Sequence, residues 1–492
     1  MSALIEPGTV EVAKSITARA SALGYWYNIG GQEIGPYGIA DDKALAEKYG
    51  LDQVWLLSAR NLSAENEMTL QDLMEILGST VLHDETNKLI LFLVNLLNYT
   101  DSSQVNVLMS GESSGGKSYL PLEIAEYFPE ADKLIIASSS PTSFFHGQGE
   151  WRKEAQEKFI DLSRKILIFL DQPHPGLLEK LRSLLSHDQR ELVYKITDRK
   201  TSGALRTKNI RIRGFPTVTF CTAKMTADEQ ERTRCFMLSP ETSEQKVKDS
   251  LTLISAKIGS PSTFKEWINK HAQRHLLKIR VERIAAMNIL DVEIPGVGKV
   301  CDAFLERHKH LAPRQQRDYP RLLALVKAHA ILNAFTRERN GNPCTITATQ
   351  TDIDAALKLY DSIAASNEIG LSPQLYEIYT EVIAPLLKQV KLATRQQIAK
   401  AYYQKYGRLL SEQRLRKEIL PALESIGLTA EESDPTDKRR MLVSLAVEDI
   451  VASTVIPFTL NGVSHTLPLY CSDEVLGVEA QEEAILDKVN FE

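Results

Sequence analysis

The chain has 492 residues, 43% of them hydrophobic and 25% charged, a composition that excludes a disordered or fibrous protein. At about 150 residues per domain the length calls for several cores. The net charge of −6 excludes a surface that is basic all over, so nucleic acid can be held only by local basic patches.

Residues 1–65 show no single pattern: after a short helix, Gly30, Gly31, Gly35, Pro36 and Gly38 break any period, and no role is legible. From residue 69 the spacing of Leu70, Leu73 and Ile76, then of Leu89, Ile90, Leu93 and Leu97, predicts helices leading into an apolar strand at 105–109. Further apolar runs at 133–137, 166–170, 217–222 and 235–238 alternate with polar or helical stretches. Five strands of a parallel sheet are therefore expected in an α/β core over 66–245. After Ser239 the spacing turns helical almost throughout, through Leu322, Leu325, Val326 and Ile331 and again through Ile353, Ala356, Leu357 and Tyr360, which predicts an all-helical unit over 246–365.

A further unit over 366–446 holds a helix from Pro373, a helix opening at Thr394 with Gln397 completing a capping box, a helix from Ser411, and a hairpin turning at Asp434 and Pro435. Pro421 should end or kink the third of these helices. Residues 447–492 give no class. The five cysteines, Cys221, Cys235, Cys301, Cys344 and Cys471, lack C-x-x-C spacing, so neither a zinc ribbon nor a disulfide framework is expected. Residues 1–23 have no basic start followed by an apolar run, and the longest apolar stretch, 89–97, is far short of the ~20 residues that span a bilayer. A cytoplasmic protein with no membrane partner is the expectation.

Gly111-Glu112-Ser113-Ser114-Gly115-Gly116-Lys117-Ser118 matches G-x-x-x-x-G-K-[ST] at every fixed position, between an expected strand and an expected helix, and these residues with Tyr119 are the expected nucleotide-binding set. Glycines let backbone N–H groups wrap phosphates, Lys117 supplies a point charge, and Ser118 offers a hydroxyl to Mg²⁺. The run 166–170 then ends in Asp171, a carboxylate suited to hold the same Mg²⁺ through water. Gln172 follows it, and an amide can orient a water but cannot take its proton. The cofactors expected are ATP and Mg²⁺. A chance glycine turn and an aspartate that merely ends a strand are the plainer alternatives.

With these motifs the chain resembles the AAA+ ATPases over residues 70–365. The resemblance implies a five-stranded P-loop core with a helical lid domain, and it marks Gln172 as a departure, because hydrolysing members usually carry Glu there. It implies that Thr222 is the polar sensor ending the fourth strand. Glu231-Arg232-Thr233-Arg234-Cys235 is similar to the arginine-finger segment of clamp loaders and helicases, in which Arg234 would reach the γ-phosphate of a neighbouring subunit in a homo-oligomeric ring, a hexamer being favoured. The segment 317–330 is similar to the sensor-2 helix of minichromosome-maintenance helicases, which carries Arg317 over to that role, with Arg321 as the alternative. His329 reads as a packed helix residue, since no second histidine stands at ligand spacing.

Residues 190–213 hold eight basic residues against Glu191 and Asp198, a local charge of +6 that reverses the sign of the whole. Two alternating stretches flank a Lys/Arg/Gly tip, as in a β-hairpin, and the segment resembles the pre-sensor hairpin with which ring helicases grip DNA. Lys195, Arg199, Lys200, Arg206 and Lys208 would meet phosphates without reading bases. The unit over 366–446 resembles a C-terminal winged helix, with Arg414, Arg416 and Lys417 on the groove helix and Lys438, Arg439 and Arg440 on the wing. A solvated hairpin and a protein-binding winged helix remain the alternatives.

The expectation is an ATP-driven DNA helicase or replication initiator of a replication or mobile element, cytoplasmic and associated with the nucleoid. A DNA-bound ATP switch that does not translocate is the first rival, and Gln172 favours it. An enhancer-binding activator would need a Gly-Ala-Phe-Thr-Gly-Ala loop, which is absent, and a small-molecule kinase needs neither a sensor-2 helix nor a winged helix. No zinc cluster or acidic triad supports primase work in the first 65 residues.

Overall fold

The apolar runs of the middle of the chain form strands because their side chains are buried on both faces. The computed structural model describes residues 16–112, 114–137, 149–155, 157–187, 189–199, 205–223, 233–308, 311–435, 440–446, 454–460 and 463–469. Its strands, in chain order, open with β1 (Thr17–Ser21), β2 (Gly24–Ile29) and β3 (Gln32–Tyr37), then β4 (Asn106–Ser110), β5 (Lys133–Ile136), β6 (Glu150–Arg152), β7 (Glu157–Asp161) and β8 (Ile166–Phe169). There follow β9 (Glu191–Arg199), β10 (Leu205–Arg213), β11 (Thr217–Thr222) and β12 (Cys235–Leu238).

β4, β5, β8, β11 and β12 make one five-stranded sheet in the order β12-β4-β11-β8-β5, with every pairing parallel. The three inner strands and the edge strand β12 are buried throughout, and only the other edge strand, β5, is partly open. On one face Leu108, Leu167, Phe169, Val218 and Phe220 pack on the helix Pro175–Leu185. On the other, Val107, Met109, Ile168, Cys221 and Phe236 join a core built from the helices Leu70–Gly78, Glu85–Leu96, Gln315–Leu332 and Gln350–Ile369. Strand alternation thus serves two helical layers with one sheet, the mixed α/β arrangement in which loops at the carboxyl ends of the strands carry sites.

The hairpin read from residues 190–213 is β9 paired antiparallel with β10, and it extends into a second sheet of order β6-β7-β10-β9. Two expectations are corrected. The segment before Gly30 is strand from Thr17 onward rather than helix, and β1-β2-β3 form a meander. Its inward residues Tyr25 and Tyr27 stand on either side of the half-buried Trp26, and Ile34 joins them from the next strand. The unit after Ser239 is not wholly helical either: β13 (Ile289–Glu293), β14 (Glu338–Asn340) and β15 (Cys344–Thr347) form a small sheet, of which Ile289, Val292 and Ile346 are buried in the core.

In the C-terminal unit Thr394 caps the helix Arg395–Tyr406 with Gln397 in a capping box, and Ser411 caps the next. β16 (Ala393–Thr394), β17 (Thr429–Ser433) and β18 (Met441–Leu445) pair antiparallel in the order β16-β18-β17. Pro421 does not end the helix from Ser411. A π turn at Leu415–Ile419 precedes it and the chain continues as helix over Leu420–Ser425, the wider turn making room for a ring that would clash with a regular one. The same device, Tyr379–Ile383, precedes Pro385. A last hairpin joins β19 (Thr454–Leu460) to β20 (Val463–Leu469). Among the described residues no helix is long and apolar enough to cross a membrane.

Candidate functional site

The loop 111–118 leaves the carboxyl end of β4, and its backbone is built for turning in a small space. Gly116 has φ +93°, where a side chain would be strained, and a Cβ on Gly111 would come within 3.0 Å of the Pro240 ring. Ser114 also takes a positive φ of 67°, and Ser113 lies outside the described residues. The Gly111 N–H donates to the Thr222 carbonyl at 3.3 Å, so the loop is tied to the neighbouring strand β11. Lys117 rests with its ammonium 3.5 Å from the Glu112 carbonyl oxygen, a contact that closes the loop on itself. Tyr119, first residue of the helix Tyr119–Ala125, donates its hydroxyl to Thr80 O at 2.8 Å and stands on the rim.

The second half of the site comes from β8 and β11. Ser118 donates its hydroxyl to Leu170 O at 3.3 Å, so the loop hydroxyl and the residue before Asp171 touch. Asp171 is exposed at the mouth and its carboxylate accepts the N–H of Gln172 at 2.9 Å. Between them β11 supplies Thr222, 1% exposed, whose hydroxyl donates to the Gln172 side-chain oxygen at 3.1 Å. The strand order explains the meeting: β11 lies between β4 and β8, so its last residue falls between the loop and the carboxylate. The Ser118 hydroxyl, bonded to the residue before Asp171, and the Asp171 carboxylate are oxygen donors of the kind a hard cation takes, and the turning loop with its lysine suits a polyphosphate. No group of three or more His, Cys, Asp or Glu that could hold a metal occurs among the described residues.

Cys221 was not singled out from the sequence as a site residue, and nothing in its spacing marks it. Its fully buried thiol donates to Lys117 O at 3.3 Å, directly under the loop. Burial pushes that thiol up to about 11 against the hydrogen bond with Ser118 and the charge of Lys117, which favour the thiolate.

Arg234 and Arg317 lie elsewhere. Arg234 immediately precedes β12, at the amino edge of the sheet, and its guanidinium donates to Ser186 Oγ at 2.7 Å. Arg317, exposed at the start of Gln315–Leu332, donates to the Thr233 hydroxyl. Both line a cavity of about 550 Å³ with Gln104, Arg321 and Lys327. Arg321, the other candidate on that helix, is 5% exposed and committed to Asp318 at 2.8 Å and to Thr233 O. The five residues of β4, roughly 16 Å of strand, separate this basic cavity from the loop at the opposite edge.

The basic residues proposed for DNA are dispersed. Lys195 is exposed on β9, opposite Asn209. In the backbone register Arg199 is opposite Leu205, Arg206 opposite Asp198 and Lys208 opposite Ile196. Lys200, Lys438 and Arg439 lie outside the described residues. Arg416 and Lys417 are exposed, as is Arg440 at the end of the turn, where its carbonyl accepts the Asp434 N–H at 2.9 Å. Arg414 is different: its guanidinium is paired with Glu112 in the loop at the carboxyl edge of the sheet. His329 is buried against Asp352 at 2.6 Å.

The sequence matches no protein-family model and no curated protein.

Proposed function

We propose that the chain is an AAA+ ATPase, its residues 246–365 the lid and 366–446 a winged helix, that couples ATP hydrolysis to work on DNA as a helicase or replication initiator. The observation that carries this is the meeting of Ser118, the end of β8 and Thr222 at one edge of a parallel sheet, with Lys117 in a loop tight enough to wrap phosphates. Lys117 would hold the β- and γ-phosphates, the loop N–H groups would fix their orientation, and Ser118 and Asp171 would hold Mg²⁺, which offsets phosphate charge when bound. Hydrolysis forms a bond from water to the γ-phosphorus and breaks the bond to the β–γ bridging oxygen. Gln172, set by Thr222, orients that water, while its proton leaves to solvent or phosphate because an amide cannot accept it. Arg234 and Arg317 lie at the far edge, so in this reading Arg234 would meet a neighbouring copy's γ-phosphate and Arg317, carried over as sensor 2, would act with it from the same edge. The exposed Lys195, Arg416, Lys417 and Arg440 supply the cations for a DNA backbone.

A DNA-bound ATP switch that loads or regulates other proteins is the second reading, and Gln172 favours it. ATP turnover and strand displacement measured with no DNA, single strands and duplex separate the two. A motor shows DNA-stimulated turnover and displaced strands; turnover indifferent to DNA with no displacement sinks the motor. A Lys117→Ala chain that still binds ATP as tightly as the native one sinks the nucleotide reading altogether.

A further inference from the structure

A carboxylate at the second position of a phosphate-binding loop is an electrostatic liability. Glu112 stands one residue past Gly111, its carbonyl receives the Lys117 ammonium at 3.5 Å, and its side chain is only about one-third exposed. A triphosphate brought to this loop meets that negative charge in a place that water screens incompletely. The charge is answered from 302 residues away in the chain, by Arg414, whose own side chain is 21% exposed. Arg414 comes from the helix that Ser411 caps, and the cap fixes where its first turn points. A second arginine of the same unit, Arg408, donates to the carbonyl of Thr242, two residues past the Pro240 ring on which Gly111 packs. The C-terminal unit is thus held to the core at two points on one rim of the loop. Glu418 at 3.8 Å is a weaker partner on Arg414's own helix.

We infer that Arg414 is a positioning residue of the nucleotide site, holding the Glu112 carboxylate aside and cancelling its charge so that the loop accepts a triphosphate. The inference rests on the nucleotide reading above. It takes Arg414 out of the DNA-contacting set read from the sequence and makes the C-terminal unit a working part of the phosphate site.

The test is a two-residue cycle in the full chain, with equilibrium binding of a non-hydrolysable ATP analogue in magnesium-containing buffer as the readout and circular dichroism as the check on folding. Arg414→Ala, which leaves Glu112 uncompensated, weakens binding on the order of tenfold, the scale expected of one charge interaction at a partly exposed site. Glu112→Gln alone removes the repelling charge and tightens binding by about twofold or more, and Arg414→Ala combined with Glu112→Gln recovers what Arg414→Ala loses, since the offending charge is gone. Arg414→Lys retains most of the affinity. A merely structural contact would show as altered circular dichroism or a lower unfolding midpoint in Arg414→Ala, and not as weaker binding by a chain that is still folded. Native affinity in Arg414→Ala, or a double variant as weak as the single, overturns the inference. Lys117→Ala is measured alongside: if it loses binding while Arg414→Ala does not, only the role of Arg414 falls, and if Lys117→Ala binds normally the nucleotide reading falls with it.

Discussion

Thr222 gives its hydroxyl hydrogen to the side-chain oxygen of Gln172 across 3.1 Å, linking the end of β11 to the residue that follows Asp171. The bond fixes one end of an amide in a place where a carboxylate would be a proton acceptor. Gln172→Glu should therefore raise ATP turnover, by about a hundredfold if proton transfer limits the rate. Steady-state phosphate release checks this, and an unchanged rate would mean that another step is limiting or that Gln172 does not face the water.

Arg234 and Arg317 share a cavity at the amino edge of the sheet, away from Lys117 of the same chain. Arg234→Ala and Arg317→Ala should each leave ATP binding near native and cut turnover, on the order of a thousandfold for the former if it reaches a neighbour's γ-phosphate. Binding isotherms and turnover measured over a range of protein concentrations decide it. Loss of binding in parallel with turnover would place these arginines in their own chain's site.

Asp352 is fully buried, bonded to His329 at 2.6 Å and by two bonds of 2.8 Å to Arg337. Burial acts to raise its carboxyl, but the hydrogen bonds from His329, Arg337 and the Thr349 N–H outweigh it and hold the group well below the usual carboxylate range. A depressed carboxyl stabilises the fold above its unfolded value, near 3.9, and that stability is lost as the pH falls through the folded value. Asp352→Asn should cost about 2–3 kcal/mol at pH 7, because it leaves the buried Arg337 with the half-exposed Glu67 as its carboxylate partner, and should fall less steeply in stability below about pH 4 than the native chain does. Urea unfolding across pH 3–7 measures both.

The Cys221 thiol, pushed up to about 11 by burial, is almost wholly protonated at pH 8. Iodoacetamide at that pH should leave Cys221 unmodified in the folded chain and label it after denaturation, as read by peptide mass. Rapid labelling of the native protein would show that the floor of the loop opens.

The five strands of the central sheet were legible because four are buried on both faces and so read as unbroken apolar runs; the boundaries of β11 and β12 agree with the sequence reading to the residue. The cap at Thr394 was legible for a similar reason, since its chemistry is local. β13 to β15, of three to five residues each, were hidden between helices whose period dominates any longer window. Pro421 misled because a π turn, which no residue type announces, absorbs its ring. For Arg414, charge, helix position and the likeness to a winged helix point to DNA and say nothing of the ion pair it makes with Glu112. Its partner Glu112 is distant in sequence, and a charge does not declare which opposite charge it will meet.

All five strands of the central sheet run the same way, so the molecule has a head and a tail: a loop at one rim and two arginines at the other. In the ring proposed above, such faces would join unlike to unlike, copy after copy, until rotation brought the last onto the first. A copy damaged on one rim alone would keep the other, so it could terminate a row without extending it. Small admixtures of such one-sided copies would then act as chain stoppers, far out of proportion to their number.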